Sequence, residues 1–285
     1  MVDSPQPTPL SAYASMLLAP NPSPMTLDGT QSYAVRFPGH ESVVIVDPGP
    51  ADDPHLEALA ALGNVALILI THRHADHTAG IDRLHELTGA PVRAAAAEFC
   101  RPAAAGPPAH DTAVGFGDPL RHGELITEAG VDIKVLATPG HTSDSMSFFL
   151  PEDGTHGAMI TGDTILGRGT TILDFPDGTL GDYLETLDLL AGFGDATVLP
   201  AHGGTLPSLA SIARAYRTHR EERLAQVRAA VAQVESSRAN AGSPAAATVA
   251  EVADVVYADV DPSVRSAAEH SVAAQLAYLR GGDHR

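Results

Sequence analysis

The stretch Thr71-His72-Arg73-His74-Ala75-Asp76-His77 carries three imidazoles and one carboxylate within six residues. Those side chains ligate a borderline-soft divalent cation such as zinc, and close spacing limits the chain entropy lost on binding. In an extended segment His72 and His74 point the same way, while Asp76 and His77 turn toward a second position as the chain enters a helix. By itself the stretch also suits a solvated polar turn. Further ligand types stand downstream: His141 in Thr138-Pro139-Gly140-His141-Thr142, Asp163 in Thr161-Gly162-Asp163-Thr164, and His202 in Pro200-Ala201-His202-Gly203. A cation held by such ligands would lower the pKa of a bound water toward neutrality and polarise the bond under attack. Such a site needs no serine or cysteine, and the chain has no Gly-x-Ser-x-Gly elbow.

Each candidate ligand follows an apolar strand. Val65 to Ile70 is a continuous apolar run behind a Gly-Asn pair, as expected of a strand buried on both faces. Val131 to Val135 alternates and runs on through Ala137; Ala158 to Ile160 and Ala196 to Leu199 are shorter. Glycine or proline beside each ligand lets the backbone turn sharply at the strand end. Helices are expected from Asp53-Pro54 to Gly63, with Asp53 as N-cap; from Asp76-His77 to Gly89; and from Leu180 to Leu190, capped by Thr179. Strand-rich halves each followed by helices predict two sheets between outer helices, with the ligands in a cleft at one edge. Residues 98 to 123 read as a long loop bordering that cleft, with His110 and His122 as solvated side chains within reach of substrate.

The ordered series HxHxDH, TPGHT, TGDT and PAHG resembles the metallo-β-lactamase superfamily. So does Val43-Val44-Ile45-Val46-Asp47-Pro48-Gly49, an early strand ending in an Asp that supports the metal loops from behind; together these cover about residues 25 to 207. The resemblance implies an α+β, four-layer αββα sandwich. It also implies that His72, His74 and His141 hold one metal, that Asp76, His77 and His202 hold the other, that Asp163 bridges them, and that Thr71 supports the site with Asp47. Two Zn2+ per chain are implied, although His and Asp ligands also suit iron and manganese. Asp163 stands where many β-lactamases of the fold carry cysteine, and intact His74 disfavours flavodiiron chemistry. The segment Gly162 to Thr171, the Asp182-Tyr183-Leu184 helix and the C-terminal His219-Arg220 resemble the β-lactamase-like protein 2 subgroup, endoribonucleases acting on single-stranded RNA. That implies a metal-dependent endoribonuclease working through a metal-bridging hydroxide oriented by Asp76 and Asp163. Arg168, on the loop after Asp163, suits helix-sheet packing or a surface ion pair as well as a phosphate contact. The alternative is a glyoxalase II-like hydrolase of a small thioester, and behind it a non-catalytic metal-binding protein.

Expected boundaries are a flexible lead-in over residues 1 to 24, a catalytic domain over 25 to 206, and a helical, winged-helix-like extension with a reduced wing over 207 to 285. In the extension, helices are expected from Leu206 to about Ser236, Val249 to Val256 and Ser263 to Leu279, with a linker at 237 to 248. The single cysteine, Cys100, rules out a disulfide framework and fits the cytoplasm, and no apolar run is long enough to cross a membrane. Net charge is −18, but residues 207 to 285 hold nine acids and nine bases, so the acidity lies in the catalytic part. Arg214, Arg217, Arg220 and Arg223 recur every three residues, which on a helix precesses about 60° per step, so they spiral instead of forming one phosphate-binding stripe.

Overall fold

The computed structural model describes residues 6–102, 117–243, 245–259 and 265–281. Its backbone carries two mixed sheets and a set of helices, and the expected αββα architecture with a helical C-terminal extension is what forms. The chain divides into two compact units: residues 1–138, 144–170 and 193–209 form the first, and residues 139–143, 171–192 and 210–285 the second.

In the first unit, β1 (Thr8–Pro9), β2 (Ala14–Leu18), β3 (Gln31–Val35), β4 (Ser42–Val46), β5 (Asn64–Leu69) and β6 (Val92–Arg93) make one sheet in sequence order. Its first four strands are antiparallel, and β4, β5 and β6 are parallel. The second sheet runs β11 (Thr197–Pro200), β10 (Ala158–Gly162), β9 (Met146–Leu150), β8 (Val131–Ala137), β7 (Leu125–Glu128), with only β10 and β11 parallel.

Side-chain alternation explains the layering. On β5, Leu67 and Leu69 enter a core with Ile133, Val135, Phe148 and Ile160 of the other sheet. Ile68 and Ile70 face the opposite way, onto Leu56 and Leu59 of α1 (Asp53–Ala60) and Leu84 of α3 (Ile81–Thr88). The apolar run at 65 to 70 is thus buried on both faces, as its composition demands. On β8, Val131, Ile133 and Val135 point into the core while Lys134 is exposed, the pattern of a strand with one solvated face.

Three local expectations need correction. The cap of α1 is Asp52, not Asp53: the Asp52 side chain accepts from the His55 amide and Pro54 falls within the first turn. The helix expected from Asp76-His77 to Gly89 is two, α2 (Ala75–Thr78) and α3, because the Gly80 amide leaves the ladder to bond the Gly49 carbonyl. The lead-in expected to be flexible through residue 24 supplies β1 and β2. Asp153 ties it down: Ser11 Oγ donates to Oδ2 at 2.5 Å and the Ala12 amide to Oδ1 at 2.8 Å. The loop expected between 98 and 123 lies largely outside the described residues, His110 included.

The second unit contains α4 (Leu180–Ala191), capped by Thr179 as expected, α5 (Leu209–Asn240), α6 (Val249–Val256) and α7 (Arg265–Leu279). The C-terminal part of α5 packs Val227 and Ala230 against Val252 of α6 and Val272 and Leu276 of α7. Among the described residues beyond α5 there is no strand. A capping box at Thr248 and Glu251 starts α6.

The Asp153 anchor joins the start of the chain to the β9–β10 turn, so its loss strands two donors. Asp153→Ala is expected to destabilise the fold by about 1–3 kcal/mol, read as a lower denaturant midpoint with an unchanged slope.

Candidate metal centre

Asp47 ends β4 in a left-handed conformation (φ 54°), and its buried carboxylate collects three neighbours. The Thr71 amide donates to Oδ1 at 2.8 Å, the Thr71 hydroxyl donates to Oδ2 at 2.7 Å, and His77 Nδ1 lies 2.8 Å from Oδ2. A carboxylate only accepts, so His77 Nδ1 carries a proton and Nε2 of the neutral ring is a bare lone pair. The Thr71 hydroxyl has spent its one proton on Asp47, so its oxygen accepts from His72 Nδ1, 3.0 Å away. That places the lone pair of His72 on Nε2 too. One carboxylate thereby sets the tautomer of two histidines, one directly and one through a threonine.

The other elements deliver their side chains to the same place. Gly162, at φ 51°, brings the end of β10 against Thr71: a Cβ there would sit 2.8 Å from the Thr71 Cβ, so only glycine fits before Asp163. His202 follows β11, and its Nδ1 lies 3.2 Å from the Gly29 carbonyl, which can only accept; Nε2 is again the lone-pair atom. The strand β3 holds that loop, through the Tyr33 hydroxyl on the Pro200 carbonyl at 2.7 Å and the Gln31 amide on the Ala201 carbonyl at 2.8 Å.

His72, His74 and Asp163 each offer a ligand atom within 4.8 Å of one another, and Asp76, His77 and His202 do the same. His72 Nε2 is 3.1 Å from His74 Nδ1. His202 Nε2 is 3.3 Å from both Asp76 Oδ2 and Asp163 Oδ1, and His77 Nε2 is 3.3 and 3.5 Å from the same two oxygens. Ligands about 2.1 Å from a tetrahedral zinc would stand roughly 3.4 Å apart, and these separations are of that size. Asp163 reaches both groups, as a bridging ligand must.

The electrostatics agree. His77 Nε2 is fully buried and has no hydrogen-bond partner. In the neutral ring it would set a lone pair against two carboxylate oxygens, which is repulsive unless a cation lies between. A proton fills that place when metal does not. Burial opposes a charged His77, but the Asp47 and Asp163 carboxylates outweigh it and raise its pKa well above normal. Burial likewise opposes charge on His202, yet Asp163 and Asp76 push it up to about 9. Burial works against ionised Asp76 as well; the His202 and His77 imidazoles beside it overcome that and hold the carboxyl well below its usual range. The donor set and the converging lone pairs fit a divalent metal centre.

Six of the seven predicted ligands meet in this way within the first unit. His141 belongs to the second, where its Nδ1 lies 2.6 Å from the Ile172 carbonyl, leaving ligation to Nε2. Arg220 of α5, buried and stacked 5.1 Å over the Tyr183 ring, donates to the neighbouring Thr171 carbonyl. Arg168 is exposed and follows Gly167, whose amide bonds the His202 carbonyl at 2.8 Å. His122 is exposed and accepts from the Ala137 amide. Sequence reasoning missed the loop before β3: the Gly29 carbonyl orients His202, and the Thr30 hydroxyl lies 3.3 Å from Asp76 Oδ2. The Asn, Pro, Asp and Gly between residues 20 and 29 signal a turn and nothing of its role.

A family model described as the metallo-beta-lactamase superfamily matches residues 25–202, and one described as the beta-lactamase associated winged helix domain matches residues 248–280. The chain is 28% identical over 276 residues to the beta-lactamase-like protein 2 homolog of Caenorhabditis elegans, covering 95% of this chain and 85% of that protein. It is 30% identical over 254 residues to the atrochrysone carboxyl ACP thioesterase AacuM of Aspergillus aculeatus, covering 87% of this chain and 74% of that one. It spans 62% of the length of the lactamase-like protein nscB of Neosartorya fischeri, at 32% identity over 77% of itself. The fold matches that of a metallo-beta-lactamase family protein of Thermus thermophilus with a TM-score of 0.70, at 24% identity over 94% of this chain and 93% of that one.

Because His202 has a raised folded pKa, its contribution to stability of the metal-free chain is complete below about pH 6.5 and is lost as pH rises through about 9. In chelator, the melting temperature of the wild type relative to His202→Gln is expected to fall between pH 6.5 and 9.5. A constant difference across that range would contradict the assignment.

Proposed function

We infer the function from the premise that this chain belongs to the metallo-beta-lactamase superfamily: we propose a two-zinc hydrolase that cleaves phosphodiester bonds of single-stranded RNA. What carries the hydrolase part is the convergence of His72, His74, Asp76, His77, Asp163 and His202 on two adjoining positions. A bound pair of zinc ions supplies Lewis-acid polarisation of the scissile bond and lowers the pKa of the attacking water.

The chain's own residues do the rest. His77 and His202 are closed off, with side chains 0% and 1% exposed, whereas the Asp76 side chain is 28% exposed and that of Asp163 13%. Substrate therefore meets the carboxylate side of the site. Asp76 stays ionised, and with Asp163 it accepts hydrogen bonds from the attacking water and aims its oxygen at phosphorus. Arg168, on the loop that Gly167 pins to His202, supplies the phosphate contact.

The RNA reading is supported by similarity to a beta-lactamase-like protein 2 homolog along nearly the whole chain. Along α5, three arginines are engaged elsewhere: Arg217 with Asp188 and Glu221, buried Arg220 with Thr171, and Arg223 over Tyr257. Recognition then falls to the rim of the metal centre. Similarity to a protein named as an ACP thioesterase favours a second reading, hydrolysis of a small thioester at the same carboxylates. No helix among the described residues is long and apolar enough to cross a membrane, and we place the protein in the cytoplasm on its single cysteine.

Zinc-loaded protein incubated with labelled single-stranded RNA is expected to cleave it, and His72→Ala or chelation to abolish cleavage. Arg168→Ala is expected to raise KM about 10-fold or more, the cost of one charge-assisted hydrogen bond of roughly 1.5–3 kcal/mol, with little change in kcat. Hydrolysis of S-lactoylglutathione without RNA cleavage would replace the first reading by the second.

A further inference from the structure

The loop between β2 and β3 contains a chain of hydrogen bonds whose directions are forced. Asn21 Oδ1 lies 2.9 Å from the Thr30 backbone nitrogen, which can only donate. The side-chain amide is thereby oriented, so that Nδ2, 3.0 Å from Thr30 Oγ1, must donate to that oxygen. The Thr30 hydroxyl, a fully buried group, is left to place its own proton on its other neighbour, Asp76 Oδ2, at 3.3 Å.

The loop is held for this task. The Ala19 amide bonds the Thr30 carbonyl at 2.8 Å and the Thr26 hydroxyl bonds the Asn21 carbonyl at 2.5 Å. A Cβ on Gly29, at φ 136°, would lie 2.2 Å from the Ala19 carbonyl oxygen, so the backbone there admits only glycine. The same Gly29 offers its carbonyl to His202. Two ligands of one metal group, Asp76 and His202, are therefore both oriented by this loop.

We propose that Asn21 is a positioning residue for the Asp76, His77 and His202 metal group, acting by fixing the Thr30 hydroxyl as a donor to Asp76. The inference rests on the metal reading above. With the Thr30 hydroxyl donating to Asp76 Oδ2, the ionised carboxylate is held in one rotamer and keeps lone pairs free for a cation. With the direction reversed, the Thr30 oxygen turns a lone pair toward Asp76 and pushes it out of position. Hydrogen bonds of this kind behind a metal ligand typically set metal affinity by roughly 10–100-fold.

Asn21→Asp tests the direction, because it keeps the acceptor for the Thr30 amide and replaces the donor by a second acceptor that competes for the Thr30 proton. Zinc is titrated into the chelator-stripped full chain against a competing dye. The event lost in His202→Ala is expected to weaken roughly 10–100-fold in Asn21→Asp, while the event lost in His72→Ala stays as in wild type. An added negative charge by itself would tighten cation binding, so weakening has the opposite sign to that trivial effect. Thr30→Val is expected to reproduce the loss and Thr30→Ser to retain wild-type affinity, which separates the hydroxyl from packing. Wild-type or tighter affinity in Asn21→Asp, or equal weakening of both events, would overturn the proposal. Failure of the unsubstituted chain to bind two zinc ions would instead overturn the metal reading, and the proposal with it.

Discussion

The buried Asp47 carboxylate is the interaction on which the centre depends. It cannot donate, so everything that touches it must, and that single asymmetry propagates outward. It leaves Nε2 of His77 bare, takes the hydroxyl proton of Thr71, and through Thr71 leaves Nε2 of His72 bare. Its backbone amide also bonds the Leu69 carbonyl at 2.9 Å, so the ends of β4 and β5 are locked together at the point where the first ligands emerge. A ring that could rotate or change tautomer would present the wrong atom to a cation.

The clustered histidines and the carboxylates among them form one electrostatic design. Ligands that attract a divalent ion are, without it, a set of lone pairs and charges too close together. The raised pKa of His77 and His202 and the depressed one of Asp76 are the protonic form of that arrangement, with protons where cations would be. The Thr30 hydroxyl and the Gly29 carbonyl extend the pattern to the other side of the site. Hydroxyls thus serve in opposite senses: Thr71 turns its proton away from the ligands, and Thr30 turns its proton toward one.

The helical extension contributes in a way its charges conceal. Four arginines at intervals of three meet four different environments as the helix turns. Arg214 is exposed, Arg217 is paired with acids, Arg220 is buried against Tyr183, and Arg223 lies over Tyr257. The buried one holds the Thr171 carbonyl, next to the Ile172 carbonyl that orients His141. A run that looks like a polyanion site in one dimension is mostly structural in three.

The strands, their two kinds of burial and the ligand types at their ends were legible in the sequence, because alternation and apolar runs are local consequences of backbone period. Asp47 and Thr71 were legible only through the resemblance of the early strand ending in Asp to that of the superfamily. The N-cap shift to Asp52, the break at Gly80 and the order of residues 8 to 18 were not, because each depends on a partner distant in the chain, such as Gly49 or Asp153. Residues 21 to 30 were the largest omission. Asn, Thr and Gly in a turn look alike whether they face water or a ligand, and only the approach of β3 to the 200–203 loop and to Asp76 gives them a role. Sequence alone determined which atoms could bind metal; tertiary structure decided which nitrogen of each ring faces inward, since that choice is made by hydrogen bonds to carbonyls and carboxylates far away along the chain.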